Sequence, residues 1–220
     1  MDEAFVGIDI QEKRGCCFAA IESDGAVLDS GWFRDPERDV VQLLRKLKES
    51  YTVSVGIDAP RQPLLSPREW YWVRKGSKWT PRSGQKGRGR HCEVVIRVHG
   101  IANPQWTPLE EEAPQWMITG FKVFLALRDI IPVYEVFPTA SYALLQGISD
   151  VRIYINFSGC KPGPKDILDA FVAAATVREF VQGRGSEVGG GDGLGTIVLP
   201  RPLREPVIRG VLSWPEHRQE

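Results

Sequence analysis

The sequence predicts an α/β fold built on a mixed central sheet with helices on both faces, and three observations carry that expectation. Three β-prone runs open the chain, with a hairpin signal between the second and the third. An amphipathic helical stretch then leads directly into a fourth β-prone run. The tetrapeptide Val-Gly-Ile-Asp ends both the first run, at Val6 to Asp9, and the fourth, at Val55 to Asp58.

Ala4 to Ile10 is a short apolar run with one Gly, the composition of a buried strand. Gly15 to Glu22 and Ala26 to Phe33 flank Asp24-Gly25, a pair that tolerates positive φ and so favours a tight hairpin. The chain therefore opens as a three-stranded antiparallel meander. Asp35-Pro36 reads as a helix cap followed by a first helical residue, because Pro lacks only an N–H that the first turn leaves unpaired. Val40, Leu43, Leu44 and Leu47 continue at i, i+3, i+4 and i+7, which predicts a helix over Pro36 to Ser50 with one apolar stripe. Tyr51 to Asp58 follows as a buried strand stopped by Ala59-Pro60. A helical crossover of this length returns its strand parallel to an earlier one. If the two Val-Gly-Ile-Asp strands are parallel neighbours, Asp9 and Asp58 leave the same sheet edge side by side.

Arg61 to Glu112 differs in character, and we read it as an insertion or lid on the core. Five prolines interrupt it, and eight basic residues lie between Arg68 and Arg90 against the single acid Glu69, interleaved with Trp70, Tyr71, Trp72 and Trp79. Such a mixture suits a nucleic-acid groove, with cations for phosphates and rings for unpaired bases. It equally suits a solvated loop whose Trp rings pack on the core. Within it, Arg90-His91-Cys92-Glu93 opens a helix or strand through Arg97. Helical spacing resumes over Pro114 to Arg128, Ile131 to Phe137 reads as a strand carrying Glu135, and Thr139 to Gln146 as a short helix. The last strong helix starts at Gly163-Pro164 and runs to about Gln182, one face carrying Asp166 and Asp169 and then Ala170, Ala173, Ala174 and Val177. Glu187 to Gly195 reads as a Gly-rich loop and Thr196 to Pro200 as a short strand, with the tail beyond left unassigned.

The 220 residues suit one domain with a well-buried core, residues 1–220, including the insertion at about 61–112. Lys plus Arg and Asp plus Glu both number 28, so the whole chain has no preference for polyanions or membranes, and any nucleic-acid affinity must be local. No apolar run approaches the ~18 residues of a membrane span, and the acidic start lacks the features of a signal peptide, so a cytoplasmic protein is expected. Cys16, Cys17, Cys92 and Cys160 show no paired metal-site spacing and read as buried free thiols.

The candidate chemistry lies in the acids. Asp9, Asp58 and Glu135 end strands, and Asp169 places a charge on an otherwise small-residue helix face. Two carboxylates about 4 Å apart repel by roughly 4 kcal/mol at a protein-like effective dielectric, so a cluster needs protons or a cation. Oxygen-only donors favour Mg²⁺ or Mn²⁺ over zinc. A lone strand-end Asp has an ordinary structural reading as an acceptor of backbone N–H bonds, but its repetition in identical contexts favours a shared role. Asp166 is explained by the helix dipole. Glu135 alternates with Val133 and Phe137 and can face either way.

The motifs VGIDI, GIDAP (Gly56 to Pro60), GRHCEVVIR (Gly89 to Arg97), YEVFPTASYALL (Tyr134 to Leu145), KDILDAFVAAATV (Lys165 to Val177) and GTIVLP (Gly195 to Pro200) together resemble domain-of-unknown-function family 429, described as predicted RNase H-like nucleases. The resemblance implies an RNase H-like core in which Asp9, Asp58, Glu135 and Asp169 match the family's acidic positions. The expected activity is Mg²⁺- or Mn²⁺-dependent phosphodiester hydrolysis of a nucleic acid, DNA or RNA, with those acids as metal ligands and Arg88, Arg90 or Arg97 on phosphate. Two rivals stand beside it. A non-catalytic binding or scaffold module would keep the basic patch without metal. A nucleotide-binding phosphotransferase of the actin and sugar-kinase type would need a Gly-rich phosphate loop after the first strand, where Gln11-Glu12-Lys13-Arg14 stands instead.

Overall fold

The computed structural model describes residues 1–13, 15–81, 87–146 and 164–215. Its centre is a mixed seven-stranded sheet in the order β3-β2-β1-β4-β7-β9-β8, formed by β1 (Asp2–Asp9), β2 (Cys17–Glu22), β3 (Val27–Trp32), β4 (Tyr51–Asp58), β7 (Val133–Val136), β8 (Ser186–Gly189) and β9 (Thr196–Leu199). β1, β2 and β3 form the expected antiparallel meander. At the turn, Gly25 adopts φ +94° while the Asp24 carboxylate accepts the Ala26 N–H at 2.8 Å. β4, β7 and β9 follow parallel to β1, and β8 closes the far edge antiparallel to β9.

Helix α1 (Pro36–Lys48) forms where capping and periodicity agree: the Asp35 side chain accepts the Arg38 N–H, and Val40 and Leu44 are buried. Together with α3 (Gln115–Leu127) it covers one sheet face, burying Val6, Ile8, Val55 and Ile57. The other face receives α5 (Pro164–Val181), which buries Ala170, Phe171, Ala173, Ala174 and Val177 against Phe5, Cys17 and Val136. Cys16 and Cys17 fall on opposite faces, and both are buried free thiols like Cys92. Cys160 lies outside the described residues.

Residues 61–112 are more regular than their prolines suggest. They contain a hairpin of β5 (Trp70–Val73) and β6 (Lys78–Pro81), the helix α2 (His91–Val98) and a 3₁₀ turn at Glu110–Glu112. Trp72 and Trp79 pack with His91 and Trp214, so these two rings belong to a core shared by α2, β8, β9, α4 (Pro138–Leu145) and α6 (Arg209–Leu212). The segment expected as a Gly-rich loop is also partly regular, since Ser186–Gly189 pairs with β9. Among the described residues, no helix is long and apolar enough to cross a membrane.

Candidate functional site

The two Val-Gly-Ile-Asp segments are paired in register. Val6 stands opposite Val55, Gly7 opposite Gly56, Ile8 opposite Ile57 and Asp9 opposite Asp58. Strand alternation sends Ile8 and Ile57 into the α1/α3 core, so Asp9 and Asp58 share the other face, toward α5. The glycines explain how close α5 comes. A Cβ on Gly7 would lie 1.8 Å from the Ala170 carbonyl oxygen and 2.5 Å from the Ala174 nitrogen, and one on Gly56 would lie 2.6 Å from a Val177 methyl. Helix backbone thus rests on strand backbone, which carries Asp169 to the acidic strand ends.

Each acid has a neighbour that orients it. Gln11 Nε2 donates to Asp9 Oδ2 at 2.9 Å, and the Tyr142 hydroxyl donates to Asp169 Oδ1 at 2.8 Å. Lys165, one helical turn before Asp169, forms an ion pair with Asp169 Oδ2. Asp9 is 1% and Asp169 5% exposed. Asp58 keeps some exposed surface although its carboxyl is deeply set among protein atoms. Burial pushes Asp9 up to about 7, against the Gln11 hydrogen bond and with the help of the Asp169 and Asp166 charges. Burial also raises Asp58 well above the usual carboxylate range, reinforced by Asp9 and Asp169, and the two acids hydrogen-bond to each other. Two carboxyls so placed each oppose the ionisation of the other, so they titrate as a pair. The neighbouring Tyr142 hydroxyl is raised by burial and by the Asp169 carboxylate.

Glu135 does not join them, which corrects its expected place among the metal ligands. It stands opposite Ile57 and therefore faces away from α5. There Arg90 holds its carboxylate, with Nη1 at 2.7 Å from Oε2 and Nη2 on Oε1, while the Arg61 backbone N–H donates at 2.9 Å. The same guanidinium pairs with Glu93 at 2.9 Å and reaches Thr107 Oγ1 at 3.2 Å. Arg90 is 1% exposed and committed on every side, so its expected role on phosphate is also corrected to a structural one. A buried Arg spanning two Glu residues is the usual way such charges survive removal from water. Arg88 is exposed and pairs with Glu112 at 2.9 Å, and Arg97 lies over the Trp106 ring at 5.1 Å. Neither lines the cavity beside the acids.

That cavity measures about 720 Å³ and opens at the C-terminal ends of β1, β4 and β7. Asp9, Asp58, Gln11 and Lys13 line one part, the Arg90, Glu93 and Glu135 network another, and Pro60, Asn103, Pro104, Gln105, Trp116 and Phe137 the rest. Ligands of open parallel sheets bind at this end of the strands. Both His91 nitrogens are engaged within the fold: Nε2 meets the Val211 carbonyl at 2.8 Å and Nδ1 accepts the Gly191 N–H at 3.1 Å.

Sequence reading missed Gln11, Lys165, Tyr142, Glu93 and Thr107. Lys165 was available from its i,i+4 spacing to Asp169. Tyr142 was not, since 27 residues separate it from Asp169 and only the packing of α4 on α5 joins them.

Among the described residues, no three His, Cys, Asp or Glu side chains converge on one point that could hold a metal ion. The donor set nevertheless suits a hard cation of the magnesium class, which is commonly held by one or two carboxylates together with waters and substrate phosphates. Asp9 and Asp58, side by side on one sheet face, supply that pair, and a divalent charge there would offset the mutual repulsion that raises both carboxyls. In comparison with known proteins, no family model, curated sequence or solved structure matches the chain.

Proposed function

We propose that the chain is an RNase H-like nuclease, hydrolysing phosphodiester bonds with a Mg²⁺ or Mn²⁺ ion held by Asp9 and Asp58. The observation that carries the reading is the residue-for-residue register of β1 and β4, which pairs two carboxylates on one face at the mouth of a cavity. The order β3-β2-β1-β4-β7, antiparallel and then parallel, is the arrangement expected of an RNase H-like core and supports the fold part of the proposal. A hard divalent ion held there would supply Lewis-acid stabilisation of charge developing on phosphate and help to activate the attacking water.

The chain's own residues divide the remaining work. Asp9 and Asp58 would hold the cation, with Gln11 fixing the Asp9 carboxylate. Asp169, oriented by Tyr142 and paired with Lys165, stands beside the two strand-end acids. Arg90, Glu93 and Glu135 form a rigid wall opposite. Lys13, exposed where it lines the cavity, is a cation suited to a non-bridging phosphate oxygen.

The test is cleavage of end-labelled DNA and RNA with Mg²⁺ or Mn²⁺, comparing the parent chain with Asp9→Asn and Asp58→Asn. Both variants are expected to lose metal-dependent cleavage by at least about 100-fold, the scale for removing a transition-state charge partner, with circular dichroism unchanged. Full activity in either variant would end the proposal.

A further inference from the structure

The cavity is larger and less polar than a phosphodiester and its ion require. Beyond the acids its walls are Trp116 at the start of α3, Phe137 between β7 and α4, and Pro60 and Pro104. Trp116 and Phe137 are each only partly buried, so ring surface remains open to a ligand. Asn103 and Gln105 stand at the same wall with exposed side chains, and among the described residues neither amide makes a hydrogen bond. Flat apolar surface next to free amide donors and acceptors is the chemistry that reads an unstacked nucleobase: rings take its π-face, and amides match its edge.

We infer that this cavity is a nucleobase pocket, so that the substrate is a single strand, or a strand locally melted, whose unpaired base lodges against Trp116 with its phosphate toward Asp9 and Asp58. The inference rests on the nuclease reading for the direction of the phosphate and adds the class of substrate. A volume of about 720 Å³ lies within the usual range for sites that enclose a small ligand, and it suits one nucleotide rather than a base pair inside a helix. Extruding a base from a duplex costs a few kcal/mol, so a site that stacks one base favours strands already unpaired.

The experiment measures binding of a short oligonucleotide, in deoxy and ribo forms, carrying 2-aminopurine at one position. Ca²⁺ serves as a hard, oxygen-seeking counter-ion, and metal-dependent cleavage is assayed separately. The parent chain is expected to bind the single strand at least tenfold more tightly than its duplex and to quench the 2-aminopurine. An abasic residue at that position should weaken binding about 5- to 100-fold, the range for one base on one ring. Trp116→Leu, which keeps apolar volume in the core, should produce a similar loss. Asn103→Ala with Gln105→Ala should alter which base is preferred. Equal affinity for abasic, duplex and single-stranded probes, or no binding of any, overturns the pocket even if the parent cleaves. Base-dependent binding without cleavage supports the pocket and removes the nuclease.

Discussion

Asp9 and Asp58 burden the fold when no cation is present, because burial and mutual repulsion raise both carboxyls above their ordinary range. Acids placed for structure lose stability when replaced, whereas acids kept for function often gain it. Asp9→Asn is therefore expected to melt higher than the parent in EDTA, by about 2–4 °C for each kcal/mol of repulsion relieved, and lower than the parent once Mn²⁺ is added. Differential scanning fluorimetry with and without metal checks both signs. These two acids were legible because the sequence repeats them in one context, and Asp169 because it stood as a charge among small residues. The fates of Glu135 and Arg90 were not. Period-two alternation cannot say which face a strand residue takes when both faces are covered. The Arg90 to Glu135 pair joins residues 45 positions apart, which only the tertiary fold brings together.

At the scale of elements, the approach of α5 to β1 makes the site. Gly7 lets the helix backbone touch the strand, so Gly7→Ala must push α5 outward or distort β1. The expected result is a loss of about 1–3 kcal/mol, typical of overpacking, together with weaker Mn²⁺ binding, read by chemical denaturation and calorimetry; unchanged stability would mean that α5 sits further away. A second element contact gives a pH dependence. His91 on α2 accepts the Gly191 N–H through Nδ1, so Nε2 carries the proton and donates to the Val211 carbonyl of α6. Burial lowers its pKa below the ordinary 6.5, outweighing the pull of the Val211 carbonyl and Asp192. With the folded value depressed, this contribution to stability is complete above about pH 6.5 and is lost as pH falls below it. The raised Asp9 and Asp58 carboxyls act in the opposite sense over the same range, so the His91 component is read as a difference: the melting temperature of the parent minus that of His91→Gln should fall between pH 6.5 and 5. The helices α1, α3 and α5 and strands β1 to β4 were readable because caps, period and turn chemistry agreed. β8 was hidden by its glycines: Gly189 and Gly190 both take positive φ at the end of a strand that pairing with β9 stabilises from outside.

For the molecule as a whole, parallel strand returns gather residues 9 and 58 at one sheet edge, and α5 crosses that edge with residue 169. The insertion contributes in two different ways. Its Trp72 and Trp79 extend the core, while Asn103, Pro104 and Gln105 form a wall of the cavity. Composition could not separate these roles, because a Trp beside charges is written the same way whether it packs or stacks. The paired acids make the central claim open to direct inspection. A crystal soaked in Mn²⁺ and measured at an energy where manganese scatters anomalously should show a peak within coordination distance of the Asp9 and Asp58 carboxylates. Anomalous density elsewhere, or none at those carboxylates, would contradict the account.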